Sequence, residues 1–332
     1  MNSTWRTEHG RPDLRDVPRT NEVLFDPRRH EKLTSVRWNA DAARAAIAAI
    51  VDDTLARFSP GKLWPTHPLD DEDGDPPPPF TMLYMGAAGV MWALDWLARA
   101  GATERRRNFT PMLDDLAARN LAQVEPWGHG VESLFMGRAG ILLLHDRLAP
   151  SPAIADRLAA SIAANANHPS LELLWGSPGT MHAALAMHEA TGEDRWADLF
   201  RNDARTLAAS FAYVPAARCR LWTQDLYGEH PQYIGAGHGF AGNASALIRG
   251  GALLPPDEWE QWVEHIVETT QAMARHDGAQ VLAGRQLRHH PAVFRMGGEL
   301  RGDDGRKHAR AIFHDGRRRF VARGFDTQDP GH

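Results

Sequence analysis

The chain carries seventeen histidines but one cysteine, Cys219, and that imbalance bounds its chemistry. A lone thiol rules out an internal disulfide, and it cannot fill the four positions of a Cys-rich tetrahedral zinc site. The histidines form no metalloprotease pattern either: His30-Glu31 and His188-Glu189 both lack the second His that His-Glu-x-x-His requires. Among carboxylates, Glu172 with Asp225 is the one loose pairing for glycosidic acid-base work, which needs two such groups about 5–10 Å apart. Basic residues gather in 283–332, where eleven Lys and Arg stand against six Asp and Glu. The net charge of −5 therefore divides into +5 there and −10 over residues 1–282. That basic stretch has few aromatics and no recognised binding motif, so no nucleic acid partner is expected.

The elements that position these residues show a repeat. Leu83-Tyr-Met-Gly86-Ala-Ala-Gly89-Val, Leu134-Phe-Met-Gly137-Arg-Ala-Gly140-Ile, Leu173-Leu-Trp-Gly176-Ser-Pro-Gly179-Thr and Gly237-His238-Gly239-Phe-Ala-Gly242-Asn each embed a Gly-x-x-Gly pair. An apolar helical period follows each pair: after Gly89, Val90, Met91, Leu94 and Leu97 fall on one face. Longer amphipathic segments lie between them. Ile47, Ile50, Val51, Thr54, Leu55 and Phe58 make one stripe, and Trp259, Trp262, Val263, Ile266, Val267 and Met273 another. The second stripe follows Pro255-Pro256-Asp257, where Asp257 is the expected N-cap. The pattern predicts helical hairpins, each with an amphipathic outer helix and an inner helix opened by glycines where helices crowd together.

Two regions fall outside this pattern. Residues 59–80 contain Asp70-Asp-Glu-Asp-Gly-Asp75 followed directly by a run of four prolines, a charged loop that cannot be helical. From about Ala283 no period is evident. The expected organisation is therefore an N-terminal extension over 1–37, a helical domain over 38–282 and a basic irregular tail over 283–332. Met1 to Asp16 is polar with no apolar run behind it, so a cytoplasmic protein is expected. Leu83 to Leu94 is the most apolar stretch and is too short to span a bilayer.

These motifs resemble those of the lanthionine synthetase C-like family. Tyr233-Ile-Gly-Ala-Gly-His238-Gly-Phe-Ala-Gly242 is similar to that family's fourth signature, and Glu172-Leu-Leu-Trp-Gly176-Ser-Pro-Gly179 resembles its third. The resemblance implies an all-α (α/α) toroid of helical hairpins, here incomplete because it covers four of seven motifs over roughly residues 38–282. It also implies chemistry in which a thiol adds to a dehydrated Ser or Thr of a peptide, forming a thioether, with a peptide or small thiol as partner. The family's later Cys-His-Gly motifs, which supply its zinc, are missing after Thr270, so no cofactor is expected and activity is expected to be impaired. Within the resemblance His238 and Glu172 are the proton-transfer candidates. At the positive end of an inner helix, the His238 imidazole is expected to stay neutral and to act as acid or base. Trp175, Tyr233 and Phe240 are the candidate substrate-binding aromatics. Arg138, inside the second glycine pair, is a candidate contact for an acidic substrate. Two other readings stay open, a carbohydrate-active protein of six-hairpin type using Glu172, and a non-enzymatic peptide-binding protein.

Overall fold

The computed structural model describes residues 37–65, 79–127, 130–226 and 228–277, and strands at 280–283, 295–296, 312–315 and 318–321. It divides into two units at Ala46 and Ile47. In the first unit, Asn39 Oδ1 accepts the backbone N–H groups of Asp41 and Ala42 at 3.0 Å each, capping the helix α1 (Ala40–Arg57), and Asp41 pairs with Arg44 at 3.1 Å. A side-chain oxygen at that position satisfies amides that the first helical turn leaves unpaired.

The second unit is the predicted all-α body of hairpins. Its inner helices are α2 (Ala87–Arg99), α4 (Arg138–Leu148), α6 (Ser177–Thr191) and α8 (Phe240–Arg249), each starting directly after the first glycine of a pair. The outer helices α3 (Leu113–Val124), α5 (Pro152–Asn165), α7 (Asp194–Ser210) and α9 (Pro256–Met273) alternate with them. Helix α2 packs on α4, α4 on α6 and α6 on α8, so the inner helices form a row in sequence order. No helix among the described residues is long and apolar enough to cross a membrane.

Glycine caps carry no side-chain acceptor, so the loops must supply one. Three of the four loops fold back: Ala87 N–H donates to Phe80 O at 2.9 Å, Arg138 N–H to Val131 O at 2.9 Å and Phe240 N–H to Tyr233 O at 3.0 Å. The first helical amide thus finds the carbonyl seven residues earlier, which closes part of the gap every helix start leaves. Two outer helices brace the same loops. Asn120 of α3 donates through Nδ2 to Met136 O, and Asn165 of α5 to Trp175 O, both at 3.1 Å and both from buried side chains. The accepting carbonyl is in each case one residue before the first glycine.

The second glycine of each pair lies against a carbonyl of its own loop, and three of the four also face a leucine of the preceding motif. A methyl at Gly140 would meet the Leu83 side chain, one at Gly179 the Leu134 side chain, and one at Gly242 the Leu173 side chain. Each of these leucines stands three residues before the first glycine of the preceding motif. One contact, a leucine side chain against the second glycine of the next motif, is therefore used three times.

Several expectations are corrected. Helix α9 opens at Pro256 with Pro255 as its cap residue, so Asp257 lies in the first turn rather than at the cap. Proline at the first helical position presets φ and gives up an amide that would be unpaired anyway. Of the stripe expected to bury α1, only Val51 is buried, while Ile50 is exposed. A short antiparallel hairpin, β1 (Ala212–Val214) with β2 (Cys219–Leu221), was not foreseen. Strands β3 (Ala274–Asp277), β4 (Gln280–Ala283), β5 (Arg295–Met296), β6 (Ile312–Asp315) and β7 (Arg318–Val321) pair antiparallel in that order; β3 and most of β4 fall where the helical domain was expected and the others where an irregular tail was. Residues 1–36 and the acidic proline-rich run at 66–78 lie outside the described residues.

One buried carboxyl gives the body a pH dependence. Asp203 on α7 is fully buried, and neither carboxyl oxygen has a hydrogen bond of good geometry. Burial pushes it up to about 8, with Asn202 and Thr180 pulling weakly the other way. Below about pH 4 the carboxyl is protonated whether the chain is folded or not, and it costs nothing. As pH rises from there through about 8, an unfolded Asp203 ionises while the buried one keeps its proton, so stability falls across that window. Each unit of such a difference is worth about 1.4 kcal/mol. Asp203→Asn is therefore expected to stabilise the protein by a few kcal/mol at pH 8 and to change little at pH 4. Urea melts of both proteins at the two pH values check this.

Candidate functional site

Glu172 and His238 are 66 residues apart in sequence and meet in space. Glu172 sits in the loop between α5 and α6, four residues before Gly176. His238 immediately precedes Gly239, the cap of α8. Because α6 and α8 are neighbours in the row, their entrance loops lie side by side, and that adjacency brings the two residues together. His238 Nδ1 stands 2.8 Å from Glu172 Oε2. A carboxylate can only accept, so Nδ1 carries the proton and donates it. In the neutral ring Nε2 is then the acceptor.

The two partners differ in exposure. The Glu172 side chain is 0% exposed and that of His238 38%. Glu172 also accepts the backbone N–H of Leu174 at Oε2, 3.0 Å, and that of Trp175 at Oε1, 2.5 Å. Ser170 Oγ lies 3.5 Å from the same Oε1, and His168 Nδ1 lies 2.9 Å from Ser170 Oγ. A buried carboxylate needs such saturation, since a charge without partners in the interior is strongly disfavoured. Glu172 is thus an anchor that orients His238, and His238 is the half of the pair that solvent reaches.

The aromatic candidates separate. The Tyr233 ring lies 6.2 Å from the His238 ring, centroid to centroid. Its backbone N–H donates to Gln224 Oε1 at 3.0 Å. Trp175 is 3% exposed and packs with Met82, Val124, Met136 and Leu226, so its ring serves packing. Phe240 lies in the core, where its ring stacks 6.3 Å from Phe211 and sits 6.0 Å from Trp222. Of the three, Tyr233 has its ring beside His238. Arg138 is held by Glu132, which takes both its Nε, at 2.6 Å, and its Nη2. Ser161 Oγ donates to the same carboxylate at 2.5 Å. This arginine serves to tie the second motif to α5.

The fit of a zinc ion can be judged from the donors present. Cys219 lies in β2, fully buried in the main apolar cluster. Burial pushes its thiol upward, and Glu268 adds to the effect, so the thiolate a metal requires is disfavoured there. No group of three or more His, Cys, Asp or Glu among the described residues is placed to hold a metal ion. The described residues therefore do not offer a donor set that fits a zinc ion.

Sequence reasoning missed Asn120 and Asn165, which hold the loops that enter α4 and α6. Their signal was an amide on the apolar stripe of an outer helix, as in Leu113, Leu116, Asn120 and Val124. It missed the Ser170 and His168 links behind Glu172 as well, which no spacing rule announces.

No protein-family model matches the chain, and no curated protein matches it in sequence. Among solved structures, nisin cyclase is similar with a TM-score of 0.45 and 14% identity, the match covering 74% of this chain and 61% of nisin cyclase. The chain therefore spans less than two thirds of that protein. A likeness this distant says nothing about chemistry.

Proposed function

We propose that the chain is a lanthionine synthetase C-like protein in which His238, oriented by Glu172, transfers the proton when a thiol adds to a dehydroamino acid. The supporting observation is the 2.8 Å pairing of a half-exposed histidine with a wholly buried carboxylate at the entrance to α8. In that reaction Nε2 takes the proton of the S–H group while sulfur bonds to the β-carbon of the dehydroamino acid. The carbon–carbon π pair moves toward the carbonyl as an enolate, and the same imidazolium returns the proton to the α-carbon. The thioether forms with no net change in protons. Tyr233 lines the approach to His238 and suits a peptide side chain. The thiol enters as a free acid with a pKa of about 8.5, so little of it is nucleophilic at neutral pH. The reaction is accordingly slow, and this copy is impaired relative to the enzymes it resembles.

The test is the addition of glutathione to a dehydroalanine-containing peptide, followed by mass spectrometry. Wild-type protein is expected to raise the rate above buffer. His238→Gln is expected to return it to the buffer rate, positioned acid-base groups contributing about 10²-fold or more. Equal rates for the two proteins, or no rise for either from about pH 6 to 9, would remove the proposal. A carbohydrate-active reading has less support. It needs a carboxyl facing a cleft, and both Glu172 oxygens are buried and occupied by backbone amides and His238.

A further inference from the structure

We infer that Asn243 is a positioning residue, which fastens the backbone beside Glu172 to helix α8 and so keeps the carboxylate where it orients His238. The two partners belong to different loops, and a single hydrogen bond between their side chains does not fix those loops side by side. Asn243 lies in the first turn of α8, where its N–H donates at 3.2 Å to the carbonyl of Gly239, the residue after His238. Its side-chain Nδ2 donates across at 2.8 Å to Leu171 O, the carbonyl directly before Glu172. One asparagine thus joins the stretch that carries the histidine to the stretch that carries the carboxylate.

The chain on both sides of Glu172 is held in this way. Leu171 has a φ of 46°, in the left-handed region that a leucine seldom adopts. Backbone of that kind persists where its surroundings hold it, and the Leu171 carbonyl ends on the Asn243 amide. On the other side, Leu173 rests against Gly242, where a methyl would stand 3.2 Å from the Leu173 Cβ. Consecutive residues of α8 therefore grip the residues before and after the carboxylate.

The leucine contact belongs to the repeat, whereas the amide does not. The residue after the second glycine is Val90, Ile141 and Thr180 in the other three motifs. Thr180 turns its hydroxyl to Ser177 O of its own helix, at 3.1 Å. Packing at this place is therefore met without an amide. Asn243 is fully buried, and its Oδ1 has no hydrogen-bond partner. An acceptor left unpaired in the interior costs stability, so the amide is a poor choice for packing alone. What it adds is the bond to Leu171 O, in the one pair of motifs that carries Glu172 and His238. The inference rests on the reading of His238 as proton carrier only for its effect on rate, since the geometry of the pair is independent of any reaction.

NMR of the imidazole nitrogens in the full chain tests this, with the His238 signals identified by their absence from His238→Gln. At about pH 8, above the range where an imidazole ordinarily titrates, the wild-type ring is expected to hold one tautomer, with Nδ1 protonated toward Glu172 and Nε2 bare. Folded Asn243→Ala is expected to lose that single pattern and show the Nε2–H form as well. Should Asn243→Ala fail to fold, Asn243→Thr, the residue the third motif already has at this position, replaces it under the same expectation. Asn120→Ala is the control. It removes another buried amide from a motif carbonyl, Met136 O, and is expected to lower the melting temperature while leaving the His238 pattern intact. For thiol addition, Asn243→Ala is expected to lower kcat by about 10-fold or more with KM unchanged, the scale on which a misplaced reacting group loses rate. A wild-type ring not held as Nδ1–H would overturn the inference. So would a single tautomer kept in the Asn243 variant, an unchanged kcat there, or an equal loss of pattern in Asn120→Ala. A wild type with the single tautomer but no thiol addition would sink the proposed reaction and support the positioning role.

Discussion

Replacing Glu172 with alanine is expected to cost about 2–6 kcal/mol, the sum for stranding two backbone donors in the interior. Domains of ordinary stability have about 5–15 kcal/mol in total, so a large fraction would be lost. The cost comes from the donors left behind. Leu174 N–H and Trp175 N–H both end on this carboxylate, and each donor stranded indoors loses about 1–3 kcal/mol. His238→Gln should be far milder, at about 1 kcal/mol or less, because solvent reaches the ring it removes. Both changes are expected to abolish thiol addition, by different routes. Urea midpoints separate them: Glu172→Ala should shift the midpoint strongly and His238→Gln barely. Equal shifts would contradict the assignment of anchor to one and proton carrier to the other.

A second large effect is expected at the two glycines that follow His238. Gly239→Ala would drive a methyl into the Tyr233 carbonyl, and Gly242→Ala into the Ala236 carbonyl and toward the Leu173 side chain. Backbone cannot rotate away as a side-chain tip can, so each change is expected to cost about 3 kcal/mol or more, the upper part of the overpacking range. Gly237 is the control. A methyl there meets nothing, and Gly237→Ala is expected to be neutral or slightly stabilising, by about 0.5 kcal/mol. Thermal melts of the three variants decide it, and a costly Gly237→Ala would show that the motif is strained for a reason other than close approach.

The glycine pairs were legible because each marks a helix start and is followed by a 3.6-residue apolar period, two signals that agree. They marked where all four inner helices start. The meeting of Glu172 and His238 was legible only through the resemblance of their motifs, since their separation in sequence carries no local trace. The aromatic candidates were weaker, because a ring near a motif packs inward as readily as it faces a ligand. Phe240 and Trp175 went to the interior and Tyr233 did not. Three-residue strands such as β1 and β2 are too short for an alternating pattern to register. Asp257 was read as a cap because Asp commonly is one, whereas the two prolines before it moved the start of α9 upstream. The buried amides of Asn120 and Asn165 were hidden by composition, which treats asparagine as a surface residue although here it donates to the carbonyl just before a helix cap.

The chain's sole sulfhydryl has a use outside any reaction. Cys219 is sealed in β2 against the main apolar cluster, with its ionisation disfavoured by burial. A maleimide or disulfide reagent in solution reaches it only when that part of the interior opens. The pace at which intact protein takes up a single label is therefore a clock for opening, built into the natural sequence without any added probe.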